Sequence, residues 1–185
     1  MMYLPAMVMV GSGWKHSGKT ELVCALMRHF SPELDIVGLK VSSPREQGHD
    51  SPHESPLLAS EARTSFLLFE ETARDTGTDT ARMIASGARR AFFLRAGREQ
   101  LDGGFSEFLE RVGENAIIVC ESNSLRHLVK PGIFLVIVRN DIADVKPSFT
   151  EVFDYADRIV HSDGARFDFK PGDICFQNGK WRFYP

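Results

Sequence analysis

Residues 10–22 read VGSGWKHSGKTEL, with three glycines between an apolar run and a helix-like pattern. Within this stretch, residues 13–20 match G-x-x-x-x-G-K-[ST], the pattern of the phosphate-binding P-loop. Glycines let the backbone fold tightly so that its N–H groups surround an anion. The helix that follows directs its positive N-terminal end to the same place. The stretch therefore predicts a site for a polyphosphate.

The residue types of the motif predict separate roles. Lys19 brings a full charge to the terminal phosphates, and the Thr20 hydroxyl is an expected Mg²⁺ ligand. The remaining motif residues are expected to line the nucleotide, mainly through backbone amides: Gly13, Trp14, Lys15, His16, Ser17 and Gly18. The alternative is a glycine-rich strand–helix turn with an exposed lysine.

The surrounding pattern predicts an α/β fold. A buried strand at 6–11, a helix at 18–30 and a strand at 35–41 form the start of a parallel sheet. Further strands are expected at 65–70, 90–94, 115–120, 133–138 and 158–160, and further helices at 78–88, 98–112 and 146–156.

Two segments stand apart from this alternation. Residues 42–56, SSPREQGHDSPHESP, carry three Ser-Pro pairs and predict a loop, part of an insertion spanning about 42–76. In residues 173–184, Asn178-Gly179 between bulky residues predicts a C-terminal antiparallel hairpin on the sheet edge. We expect residues 1–185 to form one domain with the three-layer P-loop NTPase fold and a mostly parallel central sheet.

Composition excludes several classes of function. A net charge of -3 is unlike the basic surface of a nucleic-acid-binding protein. The apolar opening MMYLPAMVMV is far shorter than the roughly 20 residues of a membrane span. It also lacks the charged first residues and the small-residue cleavage site of a secretory leader. The three cysteines follow no metal-ligand spacing. We expect a cytoplasmic protein with buried thiols and neither nucleic-acid nor membrane partners.

Acidic residues that could complete a magnesium–nucleotide site follow two other elements. Glu121 follows the apolar strand at 115–120, where a carboxylate can hold magnesium-bound water or orient the attacking water. The alternative is an acid that caps the short helix expected at 124–128. Asp79 begins a predicted helix and is either a phosphate-facing acid or a helix cap. Asn140, with Asp141, follows the strand at 133–138 and is either a base-reading residue or part of a turn.

Four stretches, in this order, resemble the molybdopterin-guanine dinucleotide biosynthesis protein B family of P-loop proteins. They are VGSGWKHSGKTEL, VGLKVSS, GTDTARMIASGARRAFF and IIVCES, and together they touch most of residues 6–125. Lys40 takes the place of that family's second-strand lysine. Three family positions differ here: Thr78 replaces a lysine, Val41 a histidine and Ser122 a glycine.

The resemblance implies GTP as substrate, Mg²⁺ as cofactor, slow hydrolysis, a homodimer and a protein partner in molybdenum cofactor assembly. It implies catalytic roles for Lys19, Glu121 and Asp79, and magnesium-side roles for Thr20, Glu121 and Asp79. The residues themselves leave GTP and ATP both open.

Two other functions compete with this one. A small-molecule kinase shares the motif and would use arginines over its substrate, for which Arg89, Arg90, Arg95 and Arg98 form the local cluster. The other is a metal-insertion GTPase, although the sequence has no Cys-Pro-His or His-rich tract of the kind that metal handover employs. His49 and His53 could ligate a metal, but structural sites generally bring four ligands, so we expect a solvated loop that closes over the nucleotide or a partner.

Overall fold

The computed structural model describes residues 1–14, 17–43, 65–139 and 147–184. Its strands and helices, in chain order, are β1 (Met2–Ser12), α1 (Lys19–Phe30), β2 (Ile36–Ser42), β3 (Leu67–Glu71), α2 (Asp79–Ala85), β4 (Arg90–Arg95), α3 (Leu101–Val112), β5 (Ile117–Glu121), β6 (Val129–Arg139), α4 (Pro147–Thr150), β7 (Arg158–Ser162), β8 (Ile174–Gln177) and β9 (Lys180–Phe183).

Seven strands form one sheet in the order β3-β4-β2-β5-β1-β6-β7. All neighbours pair in parallel except β3, which runs antiparallel to β4 at one edge. The predicted α/β class with a mostly parallel sheet is confirmed. Because six strands run the same way, their carboxyl ends meet at one edge, where ligands bind in sheets of this kind.

Helices cover both faces of the sheet. On β1, Val8 and Val10 join the apolar cluster that contains α1, whereas Met7 and Met9 join the cluster on the other face, which contains α3. This alternation is the two-residue period of a strand. Because β1 is buried on both sides, the loop that follows it starts from a fixed position.

The C-terminal hairpin is confirmed, but its predicted place on the sheet edge is wrong. Strands β8 and β9 form their own two-stranded sheet. Trp181 on β9 is buried in the α1-side cluster, and its indole Nε1 donates a hydrogen bond to the Ala6 carbonyl at 3.1 Å. The hairpin therefore packs on a face of the large sheet. The Trp181 side chain buries more apolar surface on this face than it would beside an edge strand.

The helix expected at 146–156 is also shorter than predicted. Within the described residues, α4 is one turn and is followed by a separate 3₁₀ turn, Phe153–Tyr155. The helices expected at 78–88 and 98–112 are confirmed over narrower limits. Of the predicted loop at 42–56, residues 44–56 lie outside the described residues, and the expected insertion contains β3.

No helix among the described residues is both long enough and apolar enough to cross a membrane.

Candidate functional site

The glycine-rich loop leaves the carboxyl end of β1 and leads into α1. Gly18 is the N-cap of α1 and lies in the left-handed region at φ 86°, with no side chain capping the helix. A Cβ at this position would also approach the Phe167 ring to 2.8 Å. Both the backbone angle and this contact require glycine, and the first-turn amides of α1 are left without a side-chain cap.

Oxygen atoms of the loop itself hold the Lys19 ammonium. Its Nζ donates to the Trp14 carbonyl at 3.2 Å, to Ser12 Oγ at 3.3 Å and to Ser17 Oγ at 3.5 Å. The two serine hydroxyls also bond to each other, and Trp14 N donates to Ser12 Oγ at 3.2 Å. The lysine is thus directed into the loop by neutral acceptors.

Asn123 fixes the point where the loop leaves the sheet. Its Oδ1 accepts from the Ser12 N–H and its Nδ2 donates to the Ser12 carbonyl, both at 2.9 Å. This side-chain amide pairs with the end of β1 as a neighbouring strand would. A Cβ at Gly11 would come within 2.6 Å of the same Oδ1, so the close approach requires a glycine.

A cluster of charged and polar side chains lies beside the loop: Thr20, Lys40, Asp79 and Glu121. The Thr20 hydroxyl donates to Glu121 Oε2 at 2.8 Å. The Lys40 ammonium binds the other oxygen, Oε1, at 3.3 Å and also pairs with Asp79. We call these four residues the ionic cluster, and Asp79 and Glu121 its carboxylate pair. Three different elements supply the carboxylates and the ammonium.

Burial and charge act in opposite directions on the cluster. Burial disfavours the charged ammonium, but attraction to Glu121 and Asp79 outweighs it and raises the pKa of Lys40 above its usual value. Burial also acts to raise the pKa of Asp79, but Lys40 and the Thr20 hydroxyl outweigh it and lower that pKa. Lys40 and Asp79 therefore each stabilise the charged form of the other.

Glu71, at the end of β3, holds the segment that positions Asp79. Its carboxylate accepts from Ala73 N at 3.0 Å, Thr78 Oγ1 at 2.9 Å and Thr80 Oγ1 at 3.1 Å. Burial acts to raise the pKa of Glu71, but these hydrogen bonds outweigh it and lower the value. Since Thr78 caps α2 by accepting from Ala81 N, Glu71 fixes the start of the helix on which Asp79 lies.

A loop after β7 reaches the glycine-rich loop from the other side. Phe167 forms an antiparallel bridge with Ser162, and its ring lies over Gly18. Within the loop, Asp163 Oδ1 accepts from Ala165 N at 2.8 Å and Arg166 N at 2.7 Å. An ordered turn therefore borders the start of α1 on the side away from the ionic cluster.

The structure brings together most of the residues predicted from sequence. Lys19, Thr20, Asp79 and Glu121 share the carboxyl edge of the sheet with the described part of the motif. Trp14 is only 6% exposed and its ring packs against that of Phe149, so its side chain belongs to the core. Three predicted site residues lie outside the described residues: Lys15, His16 and Asn140.

Sequence reasoning assigned no role to Lys40, Asn123 or Glu71. Lys40 and Glu121 are register partners on the neighbouring strands β2 and β5, a pairing that strand order alone creates. Asn123 could have been found from the sequence, because it lies two residues after Glu121, the carboxylate that ends a predicted strand. Glu71 ends β3, and no sequence motif predicts that β3 pairs antiparallel with β4.

The buried-thiol prediction is confirmed for Cys24 and Cys120 and wrong for Cys175, which is half-buried on the hairpin. Burial raises the pKa of Cys120 well above its usual value, so this thiol is unreactive.

The arginines considered for a kinase do not form one group. Arg89 and Arg90 lie at the start of β4, on the opposite edge of the sheet from Arg95. Arg89 pairs with Asp35 and Arg90 with Glu70. Across residues 1–14, 17–43, 65–139 and 147–184, no group of three or more His, Cys, Asp or Glu residues could hold a metal ion. His49 and His53 lie outside these ranges.

The ionic cluster can still contribute to a magnesium site. One hydroxyl and two carboxylates are the oxygen ligands Mg²⁺ prefers, and the Lys40 ammonium already occupies a cation position between the carboxylates. Mg²⁺ in phosphate sites takes one or two carboxylates and completes its shell from phosphates and water. The donor set fits that arrangement.

No family model, no curated protein and no solved structure matches the chain.

Proposed function

We propose that this protein is a P-loop NTPase that binds a magnesium–nucleoside triphosphate, with GTP the expected nucleotide, and hydrolyses it slowly. One observation carries the proposal. The motif residues Lys19 and Thr20 begin a helix at the carboxyl edge of the sheet, and the Thr20 hydroxyl bonds to a carboxylate that ends the neighbouring strand. Motif, helix start and acid are thus adjacent in space, although 101 residues separate Thr20 from Glu121.

Nucleotide binding follows from what the loop offers. Lys19 exchanges the neutral oxygens of Ser12, Trp14 and Ser17 for phosphate oxygens, which attract its charge more strongly. The uncapped first-turn amides of α1 bind the same phosphates. The loop after β7 borders this position through the Phe167 ring.

Hydrolysis follows from electrostatic positioning. Lys19 and the loop amides stabilise the negative charge that develops on the phosphate oxygens as the terminal bond breaks. Thr20, Asp79 and Glu121 would hold Mg²⁺, which when bound neutralises charge on the β and γ oxygens. Glu121 orients the attacking water through a carboxylate oxygen.

A thermal-shift comparison tests binding. GTP, ATP, GDP and ADP are each added with and without Mg²⁺ to the wild type, to Lys19→Ala and to the control Lys180→Ala. At a hundredfold excess over Kd, the nucleotide should stabilise the wild type and the control by ~2.7 kcal/mol, and Lys19→Ala should show no shift. Equal affinities in all three proteins would contradict the proposal.

Turnover tests the role of Glu121. Glu121→Gln should bind GTP with wild-type affinity and release phosphate at least tenfold more slowly, whereas Glu114→Gln at the opposite edge of the sheet should match the wild type. An unchanged rate in Glu121→Gln would remove this residue from the site.

The wider role proposed is that of an accessory GTPase in molybdenum cofactor guanine dinucleotide assembly, acting as a homodimer with a protein partner. The sequence resemblance is its support. Light scattering tests the dimer, and addition of the protein to a nucleotidyl-transfer assay for the guanine dinucleotide cofactor tests the role. Transfer of the γ-phosphate to a metabolite instead of water would favour the kinase alternative.

A further inference from the structure

Lys40 has an unusual position within the ionic cluster. It lies near the end of β2, directly beside Glu121 on β5, and its side chain is 22% exposed while that of Glu121 is 7% exposed. Its ammonium contacts both members of the carboxylate pair. A positive charge in this partly buried place holds together two acids that would otherwise repel each other.

Both Glu121 oxygens are already engaged. Oε1 accepts from Lys40 and Oε2 accepts from Thr20. A divalent cation bound by Thr20 and the carboxylate pair would draw its ligands from this same group of oxygens. The ammonium and the metal therefore compete for one set of acceptors, and both positive charges cannot stand there without strong repulsion.

We propose that Lys40 is a built-in competitor of the metal: its ammonium occupies the carboxylate pair and must be displaced before a divalent cation binds there. The inference rests on the proposed function. Its consequence is that a divalent cation binds poorly when no triphosphate is added with it. Metal enters together with a triphosphate, whose negative charge offers the displaced ammonium a new partner.

Direct metal binding tests this proposal without nucleotide. Mn²⁺ replaces Mg²⁺ as the probe, and electron paramagnetic resonance measures free Mn²⁺ in titrations of the wild type, Lys40→Met, Lys40→Arg and the exposed-lysine control Lys130→Met. We expect Lys40→Met to bind Mn²⁺ at least tenfold more tightly than the wild type. Lys40→Arg and Lys130→Met should remain within twofold of the wild type. Equal affinity in Lys40→Met and the wild type would overturn the proposal.

A second measurement uses only the wild-type protein and does not depend on a variant's folding. The rate of reductive methylation of Lys40, followed by mass spectrometry, should rise at least threefold when Mn²⁺ is added at saturating concentration. The rate at Lys180 should not change. A Lys40 rate that is the same with and without the metal would overturn displacement.

Failure of this inference is separable from failure of the proposed function. Binding of GTP in the absence of metal, lost in Lys19→Ala, supports the function whatever the Mn²⁺ titrations give. Metal-free binding of GTP with no gain of Mn²⁺ affinity in Lys40→Met would overturn the role of Lys40 alone.

Discussion

Ion pairs at the two edges of the sheet differ in burial and in what they connect. At the carboxyl edge, Lys40 joins Asp79 and Glu121, and the Glu121 side chain is 7% exposed. At the amino edge, Arg89 and Asp35 pair at 2.6 Å with side chains 67% and 76% exposed. The first arrangement links three elements beside the glycine-rich loop, and the second is a surface pair.

The difference in burial shows which charges lose part of their hydration when the protein folds. An exposed ion pair contributes little to the free energy of unfolding, because water solvates the two separated charges almost as well as each charge solvates the other. A partly buried cluster requires desolvation of its charges, which the mutual attraction must repay. Retaining such a cluster at the edge where ligands bind is typical of a functional site.

Removing the cation at each edge gives the largest expected contrast. Lys40→Met leaves the carboxylate pair unneutralised and should lower the free energy of unfolding by about 2 to 3 kcal/mol, less than for a fully buried pair. Arg89→Met should change it by less than about 0.5 kcal/mol. Urea unfolding at pH 7 measures both, and equal losses in the two variants would remove the distinction.

Glu70 and Glu71 are adjacent acids on β3 that differ in burial in the same way as the two ion pairs. Glu71 is buried with three hydrogen bonds, and Glu71→Ala should cost about 2 kcal/mol of unfolding free energy. Glu70 pairs with Arg90 through side chains that are each 35% exposed, and Glu70→Ala should cost only about 0.5 kcal/mol. If Glu71→Ala is no more harmful than Glu70→Ala in urea unfolding, Glu71 does not secure the start of α2.

The amide that pairs with Ser12 should have a somewhat smaller effect. Asn123→Ala leaves the Ser12 N–H and carbonyl without this partner and should cost about 1 to 2 kcal/mol. The exposed Asn115 at the opposite edge serves as control, and Asn115→Ala should be neutral. Wild-type stability in Asn123→Ala would mean that water replaces the amide without loss.

The pH dependence of Asp79 is the smallest expected effect. Because its folded pKa is lowered, the stability it contributes is present above its ordinary pKa, about 4, and is lost as pH falls through the folded value. In Lys40→Met, burial acts without the opposing ammonium, so the pKa of Asp79 should rise. Carbon-13 NMR titration of the carboxyl group measures this, and the same midpoint in both proteins would contradict the coupling to Lys40.

Local sequence predicted those parts of the fold that depend on neighbouring residues. The β1–α1–β2 start follows from apolar runs and helical spacing within 40 residues, and the hairpin follows from Asn178-Gly179. The hairpin's position did not follow, because it depends on the burial of Trp181 against a strand 175 residues away. The short α4 shows the same limit of local sequence. The residue pattern at 146–156 is compatible with a helix, but the surrounding packing decides how many of these residues are helical.

The candidate site divides in the same way. Lys19 and Thr20 belong to one contiguous motif, so their residue types and spacing identified them. Glu121 and Asp79 were found as acids at element ends, where their chemistry had a local alternative as helix caps. Lys40 and Asn123 acquire their contacts only because β2 and β1 lie on either side of β5.

The α/β class, the glycine-rich junction and the charges available beside it depend on residue types and spacing along the chain, so they can be predicted from the sequence. Which of these charges meet depends on the folded arrangement of the elements. Strand order placed Lys40 beside Glu121, 81 residues away, and directed a distant amide onto Ser12, while the start of α2 brought Asp79, 39 residues from Lys40, to the same ammonium. Electrostatic and hydrogen-bond energies depend on distance in space, and the packing of strands and helices sets that distance.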